Sequence, residues 1–146
     1  MKKNILIVFL LINLIFTRNS SSTEWYYGPS EKTPYSFLGL ALSHNLNDSQ
    51  EFFVGYGTAI FGAGATFGYK HYKNKSSESS LYASVSITTG IYTDMYHLIT
   101  GIYPALGYSK VLFKKSRLNL GLGSVYDIND NVVHFSPIFN LLIDTE

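Results

Sequence analysis

The chain has 146 residues, room for one domain, and its formal net charge of +1 excludes recruitment of nucleic acid by a global positive field. Charged residues make up 14% and aromatics 16%, whereas an ordinary soluble domain carries about 25% charged residues. Cys is absent, which excludes disulfides, thiolate metal sites, a Cys nucleophile and a lipidated N-terminal Cys.

Residues 1–4 are a short basic stretch, 5–16 are unbroken apolar, and 17–22 are small and polar. This is the order of a secretory signal peptide, so residues 1–22 are expected to be an export signal and 23–146 a single domain. Residues 24–28 (EWYYG) read as a short first strand or as an amphipathic segment lying at the membrane interface, and 29–34 (PSEKTP) as a turn by composition. Residues 35–44 alternate, with Leu38, Leu40 and Leu42 against Gly39, Ala41 and Ser43, and 45–49 form a polar turn. Residues 52–61 set Phe52, Val54 and Tyr56 against Gly55 and Gly57, with 62–64 as the hairpin tip. Residues 65–72 set Ala65, Phe67 and Tyr69 against Thr66, Gly68 and Lys70, before a polar loop over 73–80.

Residues 81–91 carry the clearest pattern. Leu81, Ala83, Val85, Ile87 and Ile91 oppose Tyr82, Ser84, Ser86, Thr88 and Gly90, with Thr89 the one lapse on the apolar side. Successive side chains of a strand point to opposite faces, so this stretch has one apolar face and one small, polar, uncharged face. After a turn over 92–96, residues 98–113 set Leu98, Ile102, Leu106 and Tyr108 against Gly101, Tyr103, Ala105 and Gly107. A basic turn at 114–117 leads to Leu118, Leu120 and Leu122, which oppose Asn119, Gly121 and Gly123. Residues 127–131 form a turn of types that tolerate left-handed backbone. Residues 133–143 close the chain, with Val133, Phe135, Phe139 and Leu141 against His134, Ser136, Asn140 and Leu142.

A soluble sandwich or barrel places Lys, Glu, Asp and Arg on its outward polar face. Here the polar face is Gly, Ser, Thr, Ala, Asn and Tyr. Charges fall in turns, with Lys70 and Lys110 as the charges read within strands. Small polar residues suit the crowded interior of a narrow barrel, which leaves the apolar face outward toward lipid. Aromatics near strand ends, among them Phe52, Tyr69, Tyr72, Phe113 and Tyr126, match girdles at two membrane interfaces. The fold expected is all-β: an antiparallel, up-and-down transmembrane barrel of about eight strands, exported to a bacterial outer membrane, its lumen filled by residues such as Tyr82 and Tyr103.

On these residues the chain resembles the eight-stranded OmpA/OmpX-type outer-membrane barrels of Gram-negative bacteria, and more weakly their lipid A-modifying barrels. The resemblance implies membrane lipid and lipopolysaccharide as partners. Period 2 places His134 and Ser136 on one face, where a His can serve as base for a Ser nucleophile. This resembles the His-x-Ser element of lipid A deacylases, which follow the Ser with Asn where this chain has Pro137. His44, Asp48 and Ser49 are residue types used by lipid A palmitoyltransferases, at a spacing that transfers no role. Pro104 and Pro137 fall inside strands, where each removes a ladder donor, and a break in the ladder is expected beside at least one of them. In palmitoyltransferases such prolines admit lipid sideways.

Four scattered His without paired carboxylates give no metal site, and no cofactor motif is present. His134 and Ser136 are otherwise polar lumen fillers. The function expected is a non-enzymatic structural or surface-interaction barrel of the envelope; the alternative is a lipid A acyltransferase or deacylase.

Overall fold

The computed structural model describes residues 21–32, 37–59, 62–92 and 97–144. Eight strands follow in order: β1 (Ser21–Tyr27), β2 (Leu38–Asn47), β3 (Gln50–Ala59), β4 (Gly62–Tyr72), β5 (Ser79–Tyr92), β6 (His97–Phe113), β7 (Ser116–Asp127) and β8 (Val132–Asp144). Each pairs antiparallel with the next, and β8 closes onto β1. The expected all-β, up-and-down barrel is the observed one. Antiparallel order puts the described chain ends, the β2–β3, β4–β5 and β6–β7 connections at one end of the barrel. The other four connections share the opposite end.

The alternation sorts the faces. Leu81, Ile87, Leu106, Leu122 and Phe135 are 59%, 61%, 68%, 70% and 83% exposed on the outer surface. Their chain neighbours Tyr82, Ser86, Ala105, Gly123 and Ser136 are buried inside. Thr89, the lapse in β5, is also exposed, and its hydroxyl meets that of Thr100 across the strand pair at 3.0 Å. A cross-strand Thr pair satisfies the two hydroxyls without an interior partner.

Inside, large rings lie on glycines. A Cβ on Gly107 would fall 2.4 Å from the Tyr82 ring, and one on Gly123 2.4 Å from the Tyr103 ring. A narrow barrel holds side chains this bulky only where the facing wall has none. Two small apolar clusters complete the packing: Tyr103, Ala105, Val125 and Ile138, and Tyr26, Ala41 and Leu142.

Several sequence boundaries move. The first strand begins at Ser21, so Ser21 and Ser22, assigned to the export signal, pair with His44 and Ser43; the rest of that segment lies outside the described residues. Residues 62–64 are not a hairpin tip but the start of β4, paired with β3 and β5. Strand β2 runs on to Asn47 through a register shift between Asn45 and Asn47, which leaves Asp48 and Ser49 as the turn. Tyr72 does not join an outer girdle; it is buried in the lumen. Phe52 and Tyr69 do lie outside, their rings edge to face at 5.5 Å, and Phe113 and Tyr126 are exposed on β6 and β7.

Candidate functional site

The lumen is built around charges. Glu24 on β1 and Glu51 on β3 are buried inside, and the β1–β2 connection enters the barrel, burying Ser30, Glu31 and Lys32 at 1%, 0% and 0% exposure. Its backbone is anchored where it turns in. Gly28 takes a positive φ of 105°, Phe139 N–H donates to the Pro29 carbonyl at 3.2 Å, and the Asn140 side-chain amide donates to the same oxygen at 3.2 Å. Residues 30–32, read from sequence as part of a turn over 29–34, are therefore a lumen plug, a correction to the sequence reading; 33 and 34 lie outside the described residues.

Lys32 occupies the centre. Its ammonium lies 2.6 Å from Glu24 and 2.6 Å from Glu51 and donates to Ser43 Oγ at 2.5 Å. The Ser43 and Tyr26 hydroxyls donate to the same Glu24 oxygen at 2.9 and 2.6 Å. Lys70 pairs with Glu31, and its ammonium sits 3.8 Å from the Tyr82 ring centroid and 4.7 Å from that of Tyr72. Lys75, from the β4–β5 connection, reaches back to Glu51 at 2.5 Å and donates to Asn45. Three carboxylates thus meet three ammoniums, and the set is neutral.

Neutrality is what permits burial. An isolated ion costs several kcal/mol to desolvate, and the cost is recovered only where partners and further hydrogen bonds surround it. Ring faces add attraction for the two deepest ammoniums. The arrangement fixes residues 30–32 inside the lumen.

The residues singled out from sequence lie elsewhere. His134 and Ser136 share the inner face of β8, opposite Val125 and Gly123 of β7. Ser136 Oγ lies 3.4 Å from the Pro137 carbonyl, and among the described residues no hydrogen bond joins it to His134. His44 is buried beside Ser21, with Nδ1 3.1 Å from its hydroxyl. Asp48 and Ser49 form the β2–β3 turn.

Pro104 stays in register with Val85 of β5, but pairing with β7 lapses at residues 103 and 104 and resumes in the same register at Ala105. The side of the lapse follows from strand geometry. The Thr100 carbonyl accepts from Ile128 N–H beyond β7, so alternate residues 102 and 104 also face β7. The nitrogen of Pro104 therefore faces the strand from which pairing is missing. Pro137 pairs regularly with Leu122 of β7. Phe139 N–H faces the β1 side, so the nitrogen of Pro137, two residues away, does too. Strand β1 pairs with β8 at residues 141–144, beyond the proline, so Pro137 interrupts no ladder with β1.

Sequence reading treated Glu31, Lys32 and Lys75 as turn residues and did not connect Glu24 and Glu51 to them. The available signal was Glu24, Glu51 and Lys70 on the inward phase of three strands with equally few charges elsewhere in the strands. Opposite charges in that phase need one another.

No family model matches the chain, and no curated protein matches it. Among solved structures it is similar to the crystal structure of the N-terminal β-barrel domain of Pseudomonas aeruginosa OprF, with a TM-score of 0.65 and 12% identity, covering 87% of this chain and 98% of that one. The likeness is one of fold.

Proposed function

We propose that this chain is a bacterial outer-membrane barrel with a structural or surface-interaction role, its bore closed by its own β1–β2 connection. The observation that carries the reading is the inverted distribution of polarity: exposed Leu, Ile, Val and Phe around the outside, and an ion network within. Water-soluble barrels have the opposite arrangement, whereas a barrel in hydrocarbon needs an apolar exterior and keeps polar groups in its lumen. The fold shared with the OprF domain supports the same reading. Membrane lipid and lipopolysaccharide are the partners proposed for the outer surface.

The test is a charge on the outer face. Ile87→Lys is expected to lower stability in lipid vesicles by about 2–4 kcal/mol, the cost of a cation near the bilayer midplane. In a water-soluble barrel the same exposed substitution stays within about 0.5 kcal/mol, and that result overturns the proposal. Detergent extraction and a shift in gel mobility on boiling are expected alongside. Mass spectrometry of lipid A from cells with and without the expressed chain is expected to give identical acylation, in keeping with a non-enzymatic role.

A further inference from the structure

At the end of the barrel that holds the described chain ends, the lumen opens into a cavity of about 180 Å³. Lys75, Lys114, Lys115 and Arg117 line it, with Glu24 and Asp144 as the carboxylates. Glu24 is already bonded to Lys32, and Lys75 to Glu51. Arg117 is different. Its Nη2 donates to the Lys75 carbonyl at 2.6 Å and its Nη1 to Ser109 Oγ at 3.4 Å, both neutral acceptors, and among the described residues no carboxylate pairs with it. A guanidinium has five N–H donors, so part of the fork is uncommitted. Beside it on the chain, Ser116 Oγ is buried on the same cavity wall with no hydrogen-bond partner.

We infer that this cavity is a binding site for a phosphate-type oxyanion, either free phosphate or a phosphomonoester headgroup. Among the described residues the half-buried guanidinium meets only neutral acceptors, which is unfavourable in a partly enclosed site, and a planar fork matches two oxygens of a phosphate. The Ser116 hydroxyl supplies a further donor. Exposed Lys114 and Lys115 raise the local concentration of anions at the mouth. A space of about 180 Å³ has room for several waters or one phosphate group. The site needs the barrel fold alone and does not depend on what the outer surface contacts.

The experiment follows the Arg117 side-chain Nε–H signal by NMR in detergent micelles. Inorganic phosphate is titrated at constant ionic strength against chloride, and a short-chain phosphatidic acid is titrated separately. A saturable shift with either phosphate probe and none with chloride is expected. Response to both identifies free phosphate as sufficient; response to phosphatidic acid alone identifies a headgroup. Ser116→Asp, which places a carboxylate in the site, is expected to abolish the shift. Arg117→Gln is expected to weaken binding at least about ten-fold, followed by phosphate-dependent shifts of Ser116 and Lys115 backbone signals. Lys114→Gln with Lys115→Gln keeps Arg117 in place and is expected to weaken binding less. No saturable shift, an equal chloride response, or wild-type affinity in folded Ser116→Asp overturns the inference.

Discussion

At Lys32 the ammonium is fully buried between Glu24 and Glu51, each at 2.6 Å. Lys32→Met leaves both carboxylates in the lumen without it, and Glu24 keeps only hydroxyl donors. Breaking one member out of a buried ion set costs about 3–5 kcal/mol, so this variant is expected to lose that much in urea unfolding from detergent micelles. Lys110→Met, at an exposed strand position, is expected to stay within about 0.5 kcal/mol. Equal midpoints for the two variants would show that the lumen rehydrates freely. Gly28 poses a backbone question instead. Its φ of +105° suits glycine, and a Cβ there would lie 2.2 Å from the Phe139 carbonyl oxygen. Gly28→Ala is expected to cost at least about 1–3 kcal/mol in strain and to speed hydrogen exchange first at the β1–β8 seam, where pairing is shortest. Uniform exchange across all eight strands would contradict that order.

Among the elements, β6 and β8 make a controlled pair. Each carries one proline at an exposed outward position, with opposite consequences for pairing. Pro104→Val restores an N–H facing β7, where the ladder now lapses, and is expected to stabilise the barrel by about 0.5–1.5 kcal/mol. Pro137→Val restores an N–H on the β1 side and leaves the existing β7 pairing as it is, so no comparable gain is expected. A larger gain from Pro137 would mean that the facing directions of β8 are reversed. The strands themselves were readable because an uncharged polar face alternating with an apolar one has few physical explanations. Thr89 alone breaks the pattern of β5, and it finds Thr100. The β1–β2 connection was not readable in the same way. Pro29, Ser30 and Pro34 carry turn chemistry whether a loop projects outward or inward, and local composition has no direction. What draws Glu31 and Lys32 inside is the charge on β1, β3 and β4, contributed by residues far apart in sequence. The prolines were visible as donors missing from strands, but the side each faces depends on register.

For the whole molecule, the question is whether the bore is closed by the wall or by the plug. Wall residues already fill much of it: Tyr26, Phe53, Tyr72 and Tyr103 are each 2% exposed or less. Yet Glu31 and Lys32 join the plug to β1, β3 and β4, so removing them frees Lys70 and uncouples Glu24 from Glu51. The four charges left, Glu24, Glu51, Lys70 and Lys75, are two of each sign, of which Glu51 and Lys75 remain paired. Unpaired charges in a narrow space draw water, because an unsolvated ion costs several kcal/mol. Replacing residues 29–36 by a two-residue Asn-Gly hairpin is therefore expected to turn a silent barrel into one that passes small ions. Planar-bilayer recordings read this directly: no steps for the native chain, and small steps with little preference between cations and anions for the shortened one. Native chain that conducts would show that the plug leaves spontaneously. A shortened barrel that still shifts on boiling but stays silent would assign closure to the tyrosines on Gly107 and Gly123, with the plug acting only on stability.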